Sequence, residues 1–299
     1  MFQVCWENST ANDVIQDSKK ALNVLVQQPE VDPKRISIIG HSEGTVIAPR
    51  VAIDNSTKVK NIILMGTVAQ NLRDILYYQY VNLPIQVLGK NHTGLISIQQ
   101  ISKDPHRYSS LLNLLVPSSV LYTFLRTHDT SVISRALVNE FGNNTIQGGY
   151  ISIDKQLKPL LIKEYENLTA SNPSKCNNIE GCPVWLRSYF DLIPTLSIIG
   201  NVSKSIGILM LNGENDSETP VQQVFMLQQR LTDVKHPDHT LITYPNLGHQ
   251  FYPSSQWSTG VGPFEQYVLA DIYSWLETHS GLSHPYVATP TSTLGANAF

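Results

Sequence analysis

The sequence predicts an α/β fold in which a mostly parallel sheet is split by an inserted helical segment. Near the N-terminus, two apolar, β-rich runs alternate with helical patterns at the spacing of parallel strands joined by crossover helices. The same alternation returns after residue 193, whereas the stretch between has helical spacing without clear strand alternation. We therefore predict a discontinuous core, residues 1–82 and 194–299, around a helical cap, residues 83–193.

The first core segment should contain a helix, a strand, a helix and a strand in that order. The first helix is indicated by apolar residues at helical spacing that end before a proline: Val14, Ala21, Leu22, Val24, Leu25 and Pro29. A β-rich run then ends at Gly40, a helix is predicted from Glu43, and a second apolar run covers residues 62–65. After the insertion we expect strands and helices to alternate at residues 206–211, 221–231, 241–244 and 263–277.

The predicted cap is rich in apolar and aromatic side chains, as in the segment SSLLNLLVPSSVLYTFLRT. Such side chains either line a pocket or pack as the core of the insertion, and at this spacing packing is the commoner role. The side chains concerned are Tyr77, Tyr78, Tyr80, Leu111, Leu115, Tyr122 and Phe124.

Composition excludes several classes of protein. A chain of 299 residues with 41% hydrophobic and 15% charged residues can bury a large core. The net charge of −3 and the scattered lysines and arginines provide no basic surface for nucleic acid. The apolar stretches are too short to span a bilayer, and residues 1–13 lack the pattern of a signal peptide. We therefore predict neither a nucleic-acid partner nor a membrane span.

Cysteines and glycosylation sequons give weaker signals. Cys176 and Cys182 could close a small disulfide or remain free thiols, and Cys5 is left over in either case. Seven Asn-x-Ser/Thr sequons occur where roughly three are expected by chance, which favours an exported protein weakly. They begin at Asn8, Asn55, Asn91, Asn143, Asn167, Asn201 and Asn215.

The most informative motif is Gly40-His41-Ser42-Glu43-Gly44, a G-x-S-x-G pattern between a predicted strand and a predicted helix. A sharp turn there would strain the serine backbone, which small residues on either side tolerate, and would project the hydroxyl above the sheet. The Glu43 backbone N–H would then point to where negative charge develops on a bound carbonyl. We interpret His41 as packing or hydrogen bonding beside the turn. The alternative is a glycine-flanked turn with a helix-capping serine.

A family resemblance follows from this segment. The run from Asp13 to Gly66 resembles the centre of α/β-hydrolase esterases, in which a turn like PEVDPKRI, here Pro29 to Ile36, precedes the nucleophile strand. The resemblance implies an α/β-hydrolase fold, a nucleophile at Ser42, and then an acid and a histidine in that order. It also implies that the N-terminal half-sheet of such enzymes, with its second oxyanion-hole donor, is missing before Met1.

The acid is expected directly after a late core strand. The predicted strand at residues 206–211 runs into Asn212-Gly213-Glu214-Asn215-Asp216, which resembles the family's Gly-x-x-Asp ending and matches it at Asp216. Glu214 is the rival for this role, and Glu218 is a weaker one. A turn or N-cap aspartate is the structural alternative.

The base should be a histidine beyond the acid. Five histidines qualify by order: His236, His239, His249, His279 and His284. His249 follows a predicted strand in the loop TYPNLGHQFYP, where its partners are also expected, and Gly248 permits a tight backbone. A surface histidine without a catalytic role is the alternative.

Together these residues predict a carboxylic ester hydrolase that acts through Ser42, His249 and Asp216 and an acyl-enzyme, on small esters with short to medium acyl chains. We predict no cofactor and no metal. A peptidase or thioesterase of the same fold is the alternative within the class. A catalytically impaired remnant that serves as a binding or assembly protein is the alternative outside it.

One further expectation concerns the nucleophile strand, residues 36–39. It should be central and apolar on both faces, yet nothing upstream in the chain can pair with its outer edge. An unpaired apolar edge is a template for association. We therefore predict either a homo-oligomer through this edge or a truncated version of a longer enzyme, with a weakened oxyanion hole in both cases.

Overall fold

The computed structural model describes residues 9–88, 93–103, 105, 112, 115–141, 149–170, 184–254 and 262–279. Its main sheet is parallel, with four described strands in the spatial order β1-β2-β5-β6. These strands are β1 (Ile36–His41), β2 (Val59–Met65), β5 (Gly207–Gly213) and β6 (His239–Tyr244). Two short strands, β3 (Leu95–Ser97) and β4 (Tyr150–Ser152), form a separate antiparallel pair.

Helices connect and cover the strands. The core helices are α1 (Ala11–Leu25), α2 (Gly44–Asp54), α10 (Thr195–Ile198), α11 (Gln222–Asp233) and α12 (Gln266–His279). The helices between β2 and α10 are α3 (Leu72–Tyr77), α4 (Leu83–Leu88), α5 (Ile98–Lys103), α6 (Ser118–Thr127), α7 (Thr130–Phe141), α8 (Lys158–Thr169) and α9 (Val184–Phe190). Shorter helical turns are Tyr78–Asn82, Ile153–Leu157 and Ile199–Asn201.

Local sequence signals explain where the first helix lies. Thr10 caps α1 in a reciprocal capping box, in which its hydroxyl accepts from the Asp13 backbone and Asp13 accepts from the Thr10 backbone. The apolar stripe of α1 packs against α2 through buried Ile15 and Leu22. The predicted helix and the observed one therefore end together near Leu25.

The strands β2 and β5 each contain a continuous apolar run because both of their faces are covered there. Ile62 and Leu64 pack into one apolar cluster with α1, α2 and α11, whereas Ile63 packs into a second cluster with α12. All three side chains are fully buried. This two-sided burial is what makes strands of a parallel sheet continuous apolar runs in sequence.

A third apolar cluster is formed by residues between β2 and β5 in the chain, and half of its members that are at most 1% exposed come from α5, α7 and the turn before α8. The cluster also takes in Tyr77 and Val81, whereas Tyr189 of α9 packs with the core. The antiparallel pair β3–β4 lies here too, although the sequence showed no strand alternation in this region, because strands of three residues are too short to produce a period. The predicted boundaries at 83 and 193 remain predictions.

In the described sheet the nucleophile strand lies at the edge and not at the centre, and its outer edge has no described partner, as the sequence predicted. β1 pairs with β2 alone, and its Ile39 is 56% exposed. Within the described residues, no helix is both long and apolar enough to cross a bilayer. Several residues discussed above lie outside the described ranges: Cys5, Cys176, Cys182, Leu111, His284 and the sequons at Asn8, Asn91 and Asn143.

Candidate active site

The turn between β1 and α2 holds Ser42 in a left-handed backbone conformation, with φ at +53°. Such a conformation is uncommon for a residue with a side chain and needs support from its surroundings. The Ser42 N–H donates to the Met65 carbonyl at 2.9 Å, and the Ser42 carbonyl accepts from both the N–H and the hydroxyl of Thr45. The strain at the predicted nucleophile is thus fixed by bonds to β2 and α2.

The two glycines of the motif have different roles in this turn. A Cβ at Gly40 would lie 2.2 Å from the Gly44 carbonyl oxygen, so only a glycine allows α2 to start this close to β1. A Cβ at Gly44 would meet no atom within 4 Å. The close approach therefore requires the glycine at 40 but not the one at 44.

The loops after β5 and β6 bring Asp216 and His249 together. His249 Nδ1 donates to Asp216 Oδ2 at 2.9 Å, and both side chains are almost completely buried. The other carboxylate oxygen of Asp216 accepts from the backbone N–H groups of Glu218 and Thr219, at 2.9 and 2.7 Å. The Thr219 hydroxyl donates to Asp216 Oδ2 at 2.8 Å. These bonds hold the carboxylate in one orientation towards the imidazole.

Apart from Glu218, the other described candidates lie away from this pair. The Glu214 side chain is exposed and accepts from the Thr243 hydroxyl at 2.9 Å, away from the imidazole. His236, His239 and His279 lie near the opposite ends of β5 and β6, where His236 bonds to the Ser203 carbonyl. Of the candidates that the structure describes, Asp216 and His249 are therefore the pair with the geometry of an acid and a base.

His41 lies beside the imidazole without bonding to its ring. Its Nε2 donates to the His249 carbonyl at 2.9 Å, and the two ring centroids are 4.7 Å apart. This contact ties the end of β1 to the loop that carries His249.

Gly66, which is not among the site residues predicted from the sequence, also contributes to the site. It follows β2 with φ at +59°, and a Cβ there would lie 2.9 Å from Cε1 and 3.0 Å from Nδ1 of His249. Its N–H donates to the Leu211 carbonyl at 3.0 Å. The imidazole thus rests on a glycine backbone. The sequence signal was present, because a glycine ends the second apolar run, but nothing local showed which side chain would lie over it.

Glu43 has one role for its backbone and another for its side chain. Among the described residues, its backbone N–H has no hydrogen-bond acceptor, which leaves it free at the predicted oxyanion position. Its carboxylate accepts from Trp185 Nε1 at 2.9 Å and from the Tyr189 hydroxyl. Burial is the main cause that raises the pKa of Tyr189, and the hydrogen bond to Glu43 raises it further. The phenol therefore stays protonated and remains a donor. The Glu43 side chain therefore ties the turn to α9.

The second ring nitrogen of His249 is not yet engaged with the serine. Nε2 is buried and has no hydrogen-bond partner among the described residues, and Glu218 Oε2 lies 3.4 Å away. Burial alone would lower the pKa of His249, but the hydrogen bond and charge of Asp216 and the charge of Glu218 outweigh it and raise that pKa. Catalytic hydrogen bonds are often long in ligand-free structures and tighten when substrate binds.

Two cavities lie beside these residues. A cavity of about 130 Å³ is lined by Ser42, Glu43 and Glu218 on one side and by apolar residues of α3 and the 185–194 segment on the other. A larger cavity of about 750 Å³ lies next to Asp216 and includes Tyr77 and Tyr78. The other described side chains that could have lined a pocket, Tyr80, Leu115 and Phe124, pack in or against the third apolar cluster, whereas Tyr122 is 67% exposed. Within the described ranges, no group of three or more acidic, histidine or cysteine side chains could hold a metal ion.

Comparison with protein families agrees with this arrangement. The model of the prolyl oligopeptidase family, a peptidase family designated S9, matches residues 175–283. The match covers β5, β6 and the loops that carry Asp216 and His249. The observed fold, a mostly parallel sheet covered by helices, is of the predicted α/β class. The turn that holds Ser42 lies outside the matched residues, so its assignment rests on its own geometry.

Several solved structures resemble this chain. Porphyromonas gingivalis dipeptidyl peptidase 4 is 13% identical with a TM-score of 0.41, over 89% of this chain and 22% of that one, so the chain spans about a fifth of its length. Paleococcus ferrophilus monoacylglycerol lipase is 15% identical with a TM-score of 0.41, and the similarity covers 91% of this chain and 77% of the lipase. A Bacillus coagulans carboxyl esterase is 15% identical with a TM-score of 0.46, and the similarity covers 91% of this chain and 73% of the esterase. No curated protein matches the sequence.

Proposed function

We propose that this chain is a serine hydrolase that cleaves carboxylic esters through Ser42, His249 and Asp216. The observation that carries the proposal is the pairing of a strained serine at a strand-to-helix turn with a buried imidazole that donates to a carboxylate at 2.9 Å. All three follow the carboxyl ends of strands in the same parallel sheet, which is where ligands bind in open α/β sheets.

The proposed reaction has two steps. His249 Nε2 takes the proton of the Ser42 hydroxyl as the serine oxygen bonds to the ester carbonyl carbon, and the Glu43 N–H donates to the oxyanion. The imidazolium then gives its proton to the departing alkoxide, which leaves an acyl-enzyme. Water, activated by the same imidazole, releases the carboxylic acid. Asp216 fixes the imidazole tautomer and stabilises the imidazolium in both steps.

The cavity beside Ser42 favours short acyl groups. Its volume of about 130 Å³ holds about four water-sized groups at roughly 30 Å³ each. Apolar side chains form much of its wall, including Ile75, Leu72 and Leu192. An acyl chain of a few carbons fits this space, and longer chains would have to displace the wall.

A fluorophosphonate probe and a series of nitrophenyl esters test the proposal. We expect the wild-type protein to be labelled and to turn over short esters, and Ser42→Ala to lose both. Asp216→Asn should lose about 10⁴-fold in kcat, because the imidazole would be held in the wrong tautomer. Glu214→Gln is the matched control on the same loop and should retain wild-type turnover. Normal activity in Asp216→Asn with an inactive Glu214→Gln would overturn the assignment of the acid.

A peptidase is the second candidate, and the match to the prolyl oligopeptidase family over residues 175–283 is the observation that favours it. Peptide nitroanilides, tested beside the esters, separate the two. Faster turnover of the nitroanilides, lost in Ser42→Ala, would replace the esterase proposal by the peptidase. No labelling and no turnover of either substrate class would favour a binding protein built on this fold.

A further inference from the structure

Glu218 is the group that the proposed mechanism leaves without a role. Its Oε2 lies 3.4 Å from His249 Nε2, the nitrogen that must take the proton from Ser42. Within the described residues, the contact recorded for its carboxylate is this one with His249, so no other partner explains its position. Glu218 also lines the same cavity as Ser42.

The backbone around Glu218 fixes where its side chain starts. Its N–H donates to Asp216 Oδ1 at 2.9 Å, and its carbonyl accepts from Gln79 Nε2 at 2.8 Å. The segment that orients the acid therefore also presents a second carboxylate to the opposite nitrogen of the same imidazole. The Glu218 side chain is 38% exposed, so it can move when a substrate enters the cavity.

The groups that face His249 come from three elements. The loop after β5 contributes the carboxylates of Asp216 and Glu218, and the end of β1 contributes His41, whose ring centroid is 4.7 Å away. The end of β2 contributes the uncharged backbone of Gly66. The imidazole thus lies between two carboxylates, one on each nitrogen, and this arrangement favours its protonated form.

We propose that Glu218 is a positioning residue that holds the protonated His249 in the resting site and competes with Ser42 for Nε2. This inference rests on the proposed serine-hydrolase function. A protonated imidazole cannot take the serine proton. Because the Glu218 carboxylate favours the protonated imidazole, it shifts the onset of hydrolysis to higher pH. The same carboxylate stabilises the imidazolium that forms during each step, so it speeds the reaction once the imidazole is neutral.

These two effects predict profiles of activity against pH that cross. In Glu218→Gln the rise of activity should move to lower pH, because the neutral imidazole becomes available earlier. The plateau at high pH should fall about two- to fivefold, because a partly exposed ion pair contributes little more than that. Glu218→Asp keeps the charge but places it one methylene farther back. Its pH profile should therefore lie between those of the wild type and Glu218→Gln. Glu214→Gln, the exposed control on the same loop, should overlay the wild type.

The test measures kcat and kcat/KM for a short nitrophenyl ester from pH 5 to 9 in wild type and the three variants, with thermal melting to confirm folding. A lower midpoint in Glu218→Gln supports the proposal. An unchanged or higher midpoint in that folded variant overturns it.

A second measurement does not depend on turnover. The His249 ring is titrated by NMR, with its signal assigned by its loss in His249→Gln. We expect the protonation midpoint of this ring to be lower in Glu218→Gln than in wild type. An unshifted midpoint contradicts the role of Glu218, even if esters are hydrolysed. A shifted midpoint in a protein that hydrolyses nothing supports the contact and contradicts only the proposed function.

Discussion

At the scale of a single residue, Gly66 decides whether His249 can occupy its position. A methyl group there would lie 2.9 Å from the imidazole and would occupy a backbone with φ at +59°. We expect Gly66→Ala to lower kcat about 10²-fold, because a displaced base costs about that much. Ester turnover and thermal melting measure the two effects.

Gly94 provides the matched control for this substitution. It has a similar φ of +66°, but a Cβ there would meet no atom within 4 Å. Gly94→Ala should therefore show only the cost of the left-handed backbone, about 1–2 kcal/mol, with kcat unchanged. Equal losses of kcat in the two variants would show that backbone strain, rather than contact with the imidazole, limits the reaction.

At the scale of elements, the segment after α9 sets the depth of the cavity beside Ser42. Leu192 forms part of its apolar wall. Leu192→Ala should shift the preferred nitrophenyl ester to an acyl chain about two to three carbons longer, because the truncation frees the space of that many methylenes. The measurement is kcat/KM across the ester series. Leu125→Ala, at a 60% exposed position on α6, should leave the profile unchanged. Identical profiles in both variants would show that this wall does not select chain length.

The free edge of β1 is the second feature at this scale. Ile39 is 56% exposed, and a groove of about 620 Å³ beside it is lined by apolar residues of α1, β1 and α2. We predict that a second copy of the chain pairs with this edge, since an unpaired apolar strand is a template for association. Ile39→Lys should lower the mass measured by light scattering at a given concentration, whereas Leu125→Lys should not. A wild-type protein that remains monomeric at high concentration would contradict this prediction.

At the scale of the whole molecule, His236 links folding to pH at the end of the sheet opposite the site. Its neutral form satisfies both nitrogens, because Nε2 donates to the Ser203 carbonyl and Nδ1 accepts from the Asp238 N–H. Burial of the ring is the main cause that lowers the pKa of His236, and the charge of the neighbouring His239 lowers it further. The unfolded chain therefore binds a proton more readily than the folded one as the pH falls.

The sign of the effect follows from that direction. The contribution of His236 to the free energy of unfolding is present above its unfolded pKa of about 6.5 and is lost as the pH falls below it. His249, whose folded pKa is raised, acts in the opposite sense. We expect the drop in Tm between pH 7.5 and 5.5 to be smaller in His236→Gln than in wild type. Leu231→Ala, a buried and non-titrating control nearby, should lower Tm at both pH values without changing the drop. An equal drop in His236→Gln and wild type would remove His236 from the acid response.

Much of the fold could be predicted from the sequence because the relevant signals are local. The apolar period of α1 and the continuous apolar runs of β2 and β5 gave elements close to those observed. The motif from Gly40 to Gly44 likewise predicts its own turn, since strand, glycine and helix signals are adjacent in the chain. The pairing of Asp216 with His249 followed from the order of nucleophile, acid and histidine that the family resemblance implies and from the predicted strand ends, and the structure brings these two side chains within 2.9 Å.

The tertiary structure decided what depends on contacts between distant segments. Gly66 and His249 are 183 positions apart in the sequence, and no local pattern shows that one lies against the other. The apolar run of β1 is typical of a central strand, although its outer edge was expected to lack a partner, and the pairing of distant strands places β1 at the edge of the described sheet. Glu218 looked like a weak rival for the acid, and only folding places its carboxylate on the other nitrogen of the imidazole. The period of apolar residues along the sequence determines the helices and strands, because the side-chain repeat of each is a local property of the backbone. The environment of a side chain is determined by packing between elements that are distant in the sequence.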